Sequence, residues 1–159
     1  YRAGTQNVPG IVGLGEAAAL ARKKMSAEAE RLAGLRDRLE AGILEGIEST
    51  TVNGHGGRRV PNTTNIRFDG LEGEALVIAL DLKGMAVSSG AACSSGAVEP
   101  SHVLIAIGLS ANQARSSIRF SLGRQNDARQ VDALLGALPG VVRHLRQLSP
   151  AYAGSAERP

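Results

Sequence analysis

Apolar residues recur at three- and four-residue steps from about Ile11 to Ile47: Leu14, Ala18, Ala21, Met25, Ala29, Leu32, Leu35, Leu39, Ile43 and Ile47. That spacing predicts an amphipathic helix. Gly13, Gly15, Gly34, Gly42 and Gly46 weaken it and invite a break. Pro9-Gly10, in the opening "YRAGTQNVPG", argues against a regular start there. Unbroken, the helix would extend about 55 Å, too long for one small core. A helix of that kind is expected to bridge two domains or to pack on a partner.

Polar turn material follows, "NGHGGRRVPNTT", and then Asn65-Ile66-Arg67-Phe68 alternates as a strand does. Asp69-Gly70 turns the chain into a helix from Glu72 to Lys83, whose run "ALVIAL" packs inward and whose C-terminal cap is Gly84. Met85 to Ser88 reads as a short strand leading into a Ser/Gly/Ala loop. Glu99-Pro100-Ser101 starts a helix with proline in its first turn, and Gly108 ends it. A helical turn is expected over Ser110 to Arg115. In the strand Ser117 to Leu122, Ile118, Phe120 and Leu122 share one face; Ser117, Arg119 and Ser121 share the other. Asn126 is placed to cap a last helix carrying Val131, Leu134, Leu135, Leu138, Val142 and Leu145, with Pro139-Gly140 expected to kink or interrupt it. The tail "AYAGSAERP" has the composition of a frayed end. The fold class is therefore α/β: a long N-terminal helix and a small sheet of three or four strands covered by helices.

Composition narrows the function. A length of 159 residues points to about one domain. The charge of +3 comes from 18 basic residues interspersed among 15 acidic ones, and aromatics make up 3% of the chain. There is neither a basic stripe nor a base-stacking platform, so no direct nucleic-acid contact is expected. His55, His102 and His144 are far apart and the single cysteine completes no metal-ligand spacing, so no metal is expected. No apolar run approaches the roughly 18 residues of a membrane span, and the N-terminus does not read as a signal peptide. One cysteine forms no internal disulfide, which makes a reducing, cytoplasmic setting the default.

That cysteine, Cys93, lies in "VSSGAACSSGAV". A structural cysteine normally sits in an apolar helix or strand, whereas this segment has little apolar surface to bury. Main-chain N–H groups of such a loop can favour a thiolate, although no histidine or lysine flanks it as a base. From these residues alone, a reactive thiol and an inert loop cysteine both stand. Arg119 has the same two readings: a solvated sheet face, or a guanidinium presented rigidly to grip a carboxylate with two parallel hydrogen bonds. Arg124, just beyond the strand, competes for that role.

Taken together, "VSSGAACSSGAVEPSHVL" followed by "SSIRFSLGR" closely resembles the C-terminal part of NifS/IscS-like cysteine desulfurases, pyridoxal 5'-phosphate (PLP) enzymes of fold type I and the class V aminotransferase group. "VPNTTNIRFDGLEGEALVIALD" and "YRAGTQNVPGIVGLGEAA" fit neighbouring family segments. The likeness extends from Arg2 to about Ser149. It implies the α+β small domain of such an enzyme, with a mostly antiparallel sheet. In that family PLP loosens the C–S bond of L-cysteine, a loop cysteine attacks the substrate sulfur, alanine departs and a persulfide remains for an acceptor or scaffold protein. Cys93 matches the nucleophile, Arg119 the arginine holding the substrate carboxylate, and Thr5 a threonine that reaches the cofactor phosphate of the neighbouring subunit in a homodimer. The loop resembles the longer-loop branch that serves iron–sulfur cluster assembly and tRNA thiolation.

The resemblance also implies residues that this chain lacks. Lys23, Lys24 and Lys83 are its only lysines, and none has the family context of the Schiff-base lysine. The expected organisation is a loop and connecting helix over 1–48, and a small C-terminal domain over 49–150 with the cysteine loop at 88–98. A tail covers 151–159, and the large PLP-binding domain is absent. The chain alone is expected to be inactive. Two alternatives share these residues: a selenocysteine lyase-like enzyme, and a non-catalytic sulfur-relay or docking module.

Overall fold

The predicted helix forms without a break. In the computed structural model, which describes residues 3–54, 57–89 and 99–149, α1 runs over Val8–Gly46, 39 residues. It begins earlier than the Pro9-Gly10 pair suggested, because Asn7 caps it: its Oδ1 accepts from the main-chain N–H of Gly10 at 3.1 Å. Pro9 lies in the first turn, where a missing N–H forgoes no helical bond. Gly42 has a packing reason. A Cβ there would lie 2.6 Å from Leu135 Cδ1 of the last helix, so glycine lets the two helices meet closely.

Among the described residues, four strands make one antiparallel sheet in the order β1-β2-β4-β3: β1 Thr50–Val52, β2 Thr63–Phe68, β3 Ser88–Ser89 and β4 Ser117–Ser121. The other helices among the described residues are α2 Gly73–Asp81, α3 His102–Ala106, α4 Ala111–Arg115 and α5 Ala128–Leu148. β1 falls in a stretch whose sequence predicts no element, and it registers Val52 against Ile66. β3 starts at Ser88 rather than Met85; Met85 and Val87 instead pack against the core ahead of it. Leu122 falls just outside β4, and α2 spans Gly73–Asp81 rather than Glu72 to Lys83, with Glu72 as its N-cap. Gly84 does take the positive φ expected of it, 76°.

Three further expectations are corrected. α3 starts at His102 with Ser101 as its cap, so Pro100 stands outside the helix. α5 is capped by Asp127, whose Oδ1 accepts from the Gln130 N–H at 3.0 Å; Asn126 instead closes the preceding turn, accepting from the Gly123 N–H at 2.7 Å. α5 also runs through Pro139 uninterrupted. Leu138, Val141 and Val142, buried on either side of the proline, hold those turns against the core.

One face of the sheet carries that core. Ile66, Phe68, Ile118 and Phe120 pack against Leu39 and Ile43 of α1, Leu76 and Leu80 of α2, and Val131, Leu138 and Val142 of α5. Glu40 of α1 is buried beside them and forked by Arg59, whose two guanidinium nitrogens donate at 2.5 and 2.8 Å. Burial alone would lift the Glu40 carboxyl, but the hydrogen bonds and charge of Arg59 outweigh it and hold the group below the usual carboxylate range. The Thr64 hydroxyl interacts with the same carboxylate at a geometry too poor for a hydrogen bond, so the Arg59 fork carries the effect. The opposite face of the sheet is polar.

α1 outruns this core. Its buried residues are Leu32, Leu39, Glu40 and Ile43, whereas every described residue from Val8 to Ala27 is exposed. Those 20 residues form a rod of about 30 Å. Among the described residues no helix is long and apolar enough to cross a membrane.

Candidate functional site

The polar sheet face is built by period-two alternation. In β2 the residues Thr64, Ile66 and Phe68 are buried, which turns Asn65 and Arg67 to the other side. In β4, Ile118 and Phe120 are buried and Arg119 is exposed. Arg119 sits mid-strand in β4, an interior strand, with Asn65 of β2 and Ser88 of β3 as its register partners. Its backbone is therefore laddered on both sides, and its side chain leaves a rigid platform. Among the described residues its guanidinium has no hydrogen-bond or ion-pair partner. Arg67, on the same face, is by contrast held by Asp69 (Nε to Oδ1 2.9 Å).

β3 is only two residues long, and its position matters for Cys93. Ser88 and Ser89 lie against Arg119 and Ile118. The chain therefore enters the cysteine segment at the strand neighbour of Arg119. Cys93 itself lies outside the described residues. Four residues on from Ser89, it is reached by a tether with a full extension of about 14 Å.

Thr5 is not brought near this face. It lies in the exposed stretch ahead of the Asn7 cap, beyond the unpacked half of α1. Arg124 is also displaced. It lines an open cavity against α1, together with Lys24, Met25, Glu28 and Leu32. Its positive charge acts there on the Glu28 carboxyl, for which the Arg31 hydrogen bond is the main cause of a lowered pKa. Arg119 is thus the arginine of the polar sheet face paired with Ser88, and Arg124 belongs to the α1 side.

A hydrogen-bond relay that sequence reasoning missed lies next to Arg119. Asn53 Nδ2 donates to Asn65 Oδ1 at 2.6 Å and to Ser117 Oγ at 2.9 Å. Ser117 in turn donates to the main-chain carbonyl of Gln113 in α4 at 2.7 Å. The Asn53 main-chain N–H also donates to the Asn65 carbonyl at 2.8 Å. Asn65 was legible as a polar-face residue, but Asn53 depends on β1 and its following turn, which the sequence does not announce. Among the described residues no group of His, Cys, Asp and Glu could hold a metal ion.

Comparison with known proteins agrees with this architecture. The aminotransferase class-V family model matches residues 1–134. A cysteine desulfurase of Gluconacetobacter diazotrophicus is 48% identical over 98% of this chain and 39% of its own length. Cysteine desulfurase IscS 1 of Archaeoglobus fulgidus is 47% identical over 95% of this chain and 39% of its own. Among solved structures, a NifS-like protein from Rickettsia africae superposes with a TM-score of 0.76 at 32% identity, covering 89% of this chain and 36% of that one. The chain thus spans about two fifths of the length of the curated relatives it matches, and it belongs to the aminotransferase class-V family.

Proposed function

We propose that the chain supplies the small domain of a cysteine desulfurase, contributing a sulfur-accepting thiol at Cys93 and a carboxylate grip at Arg119. The observation that carries this reading is the register of β3 on β4. It pairs Ser88 and Ser89, which lead toward Cys93 in the sequence, with Arg119 and Ile118 of β4, in a chain 48% identical to a named cysteine desulfurase. In this reading residues 1–48 are the connecting element, residues 49–150 the small domain, and the PLP-binding domain lies outside the chain. Thr5 contacts the cofactor phosphate of a second subunit in a homodimer. The sulfur passes on to an acceptor or scaffold protein of iron–sulfur cluster assembly or tRNA thiolation, in the cytoplasm.

Arg119 orients the substrate. Its fork donates two parallel, charge-assisted hydrogen bonds to the α-carboxylate of L-cysteine and fixes which way the thiol end points. Cys93, as thiolate, receives the sulfur to give a persulfide. A Ser/Gly/Ala arm suits a group that must meet both a substrate and an acceptor.

PLP, when bound, supplies an electron sink for loosening the C–S bond. The described residues do not by themselves make its site. Lys23 and Lys24 lie on the exposed half of α1, and Lys83 lies in the turn after α2, lining a cavity on the helical side with Leu39, Met85 and Leu134. None of the three stands beside Arg119 in the sheet. The purified chain, given PLP and L-cysteine, is expected to release no alanine above a protein-free control. Alanine release dependent on the chain would show that one of these three lysines serves, and the division of labour proposed here would fail.

A further inference from the structure

The relay beside Arg119 has a direction, set from one end. The main-chain carbonyl of Gln113 can only accept, so Ser117 Oγ donates to it (2.7 Å). The Ser117 hydroxyl then meets Asn53 as an acceptor, which requires the Asn53 atom 2.9 Å away to be the donor Nδ2. The same Nδ2 points its second hydrogen at Asn65, 2.6 Å away, and the Asn65 atom facing it must be Oδ1. Neither amide is left free to flip. Asn65 Nδ2, with two donor hydrogens, is the end left over, and among the described residues it has no partner.

Asn65 is the register partner of Arg119 on β2 and faces the same side of the sheet. Side chains so paired start from Cβ atoms about 5 Å apart. We propose that Asn65 is a second donor to the carboxylate gripped by Arg119, held in its donating orientation by Asn53 and Ser117. This rests on the reading of Arg119 given above. The opposite amide orientation would present Oδ1 toward the guanidinium, and an acceptor there would occupy Arg119 in place of a ligand. The relay therefore does two things: it adds a neutral donor to the site, and it keeps the arginine open.

The test is a titration of the ¹⁵N-labelled chain with L-alanine, which carries the same α-carboxylate, followed at the Asn65 Nδ2–H and Arg119 Nε–H resonances. Both are expected to shift along one saturation curve. Asn65→Asp keeps an oxygen for Asn53 and the same side-chain size but turns the donor end into an acceptor. It is expected to weaken L-alanine binding about tenfold or more, as loss of a hydrogen bond to a charged group does. Asn65→Thr, which a strand tolerates, covers the case in which the added carboxylate unsettles the sheet, and the same weakening is expected. A shift at Arg119 with none at Asn65, and unchanged binding in both variants, would overturn the Asn65 role while leaving the Arg119 grip standing. If neither resonance moved, the Arg119 reading would fall and the Asn65 role with it.

Discussion

Arg119→Ala is expected to weaken binding of L-alanine to the chain markedly, and Arg119→Lys to restore only a small part of the loss. The reason is the fork. Two charge-assisted hydrogen bonds leave together when the guanidinium is removed; at an exposed position each contributes up to about 1 kcal/mol, a combined loss of about tenfold or more in affinity. A lysine returns the charge but not the planar, two-pronged geometry, so its recovery should stay well short of wild type. The dissociation constant from the same L-alanine titration measures both variants. Arg124→Ala is the internal control: Arg124 lies in the α1 cavity with Glu28 rather than on the polar sheet face, and its removal is expected to leave binding unchanged. Equal losses at the two positions would mean that net charge, not the rigid β4 platform, governs binding.

Gly73→Ala is the substitution expected to damage the fold most for its size. Gly73 is buried in the first turn of α2, and a Cβ there would lie 2.6 Å from the main-chain carbonyl of Arg115 and 3.3 Å from Ile118 Cδ1. The nearer obstacle is backbone, at the end of α4, and cannot rotate aside. Relieving the clash moves α2 away from the junction of α4 and β4, two residues before Ser117 opens the strand that carries Arg119. Such overpacking costs about 1–3 kcal/mol. At about 2 kcal/mol the unfolding midpoint of a chain this size falls by roughly 4–8 °C. Gly34→Ala provides the contrast. Gly34 is exposed in α1 and an added Cβ meets nothing within 4 Å, so replacing it should raise stability by up to about 1 kcal/mol. Thermal unfolding followed by circular dichroism reads both, and a Gly73→Ala midpoint equal to wild type would show that α2 is less tightly seated than its contacts imply.

The elements that carry the site were readable from the sequence because they rest on strict alternation. Ser117 to Ser121 alternates polar and apolar residues without exception, which by itself assigns Arg119 to the polar face. The long helix was readable from a different period, apolar residues at three- and four-residue steps sustained through five glycines. What the sequence concealed depends on tertiary context. β1 is three residues long, too short to show a period, and it exists because β2 offers it an edge. Asn53, next to it, was hidden for that reason, and with it the relay that orients Asn65. The cap of α5 could have been found: Asp127 and Gln130 have the spacing of a reciprocal capping box, whereas Asn126 only precedes it. Pro139 was read by its local penalty, but burial of its neighbours outweighs one lost main-chain hydrogen bond. Gly42 looked like a weak point in α1 and is instead where α5 approaches.

Cys93 was legible only as an unusual thiol in a Ser/Gly/Ala segment. Its proposed role comes from the resemblance and from the register of Ser88, five residues before it, against Arg119. The measurement that tests that role most directly is mass spectrometry of the chain after incubation with L-cysteine, PLP and a complete cysteine desulfurase as sulfur source. Because Cys93 is the only cysteine in the sequence, a persulfide has one place to form. The expected result is the mass of one added sulfur atom on the peptide containing Cys93, removed by a thiol reductant and missing in Cys93→Ser. A chain that stays unloaded while the complete enzyme turns over L-cysteine would contradict the proposal that Cys93 is a sulfur-accepting thiol.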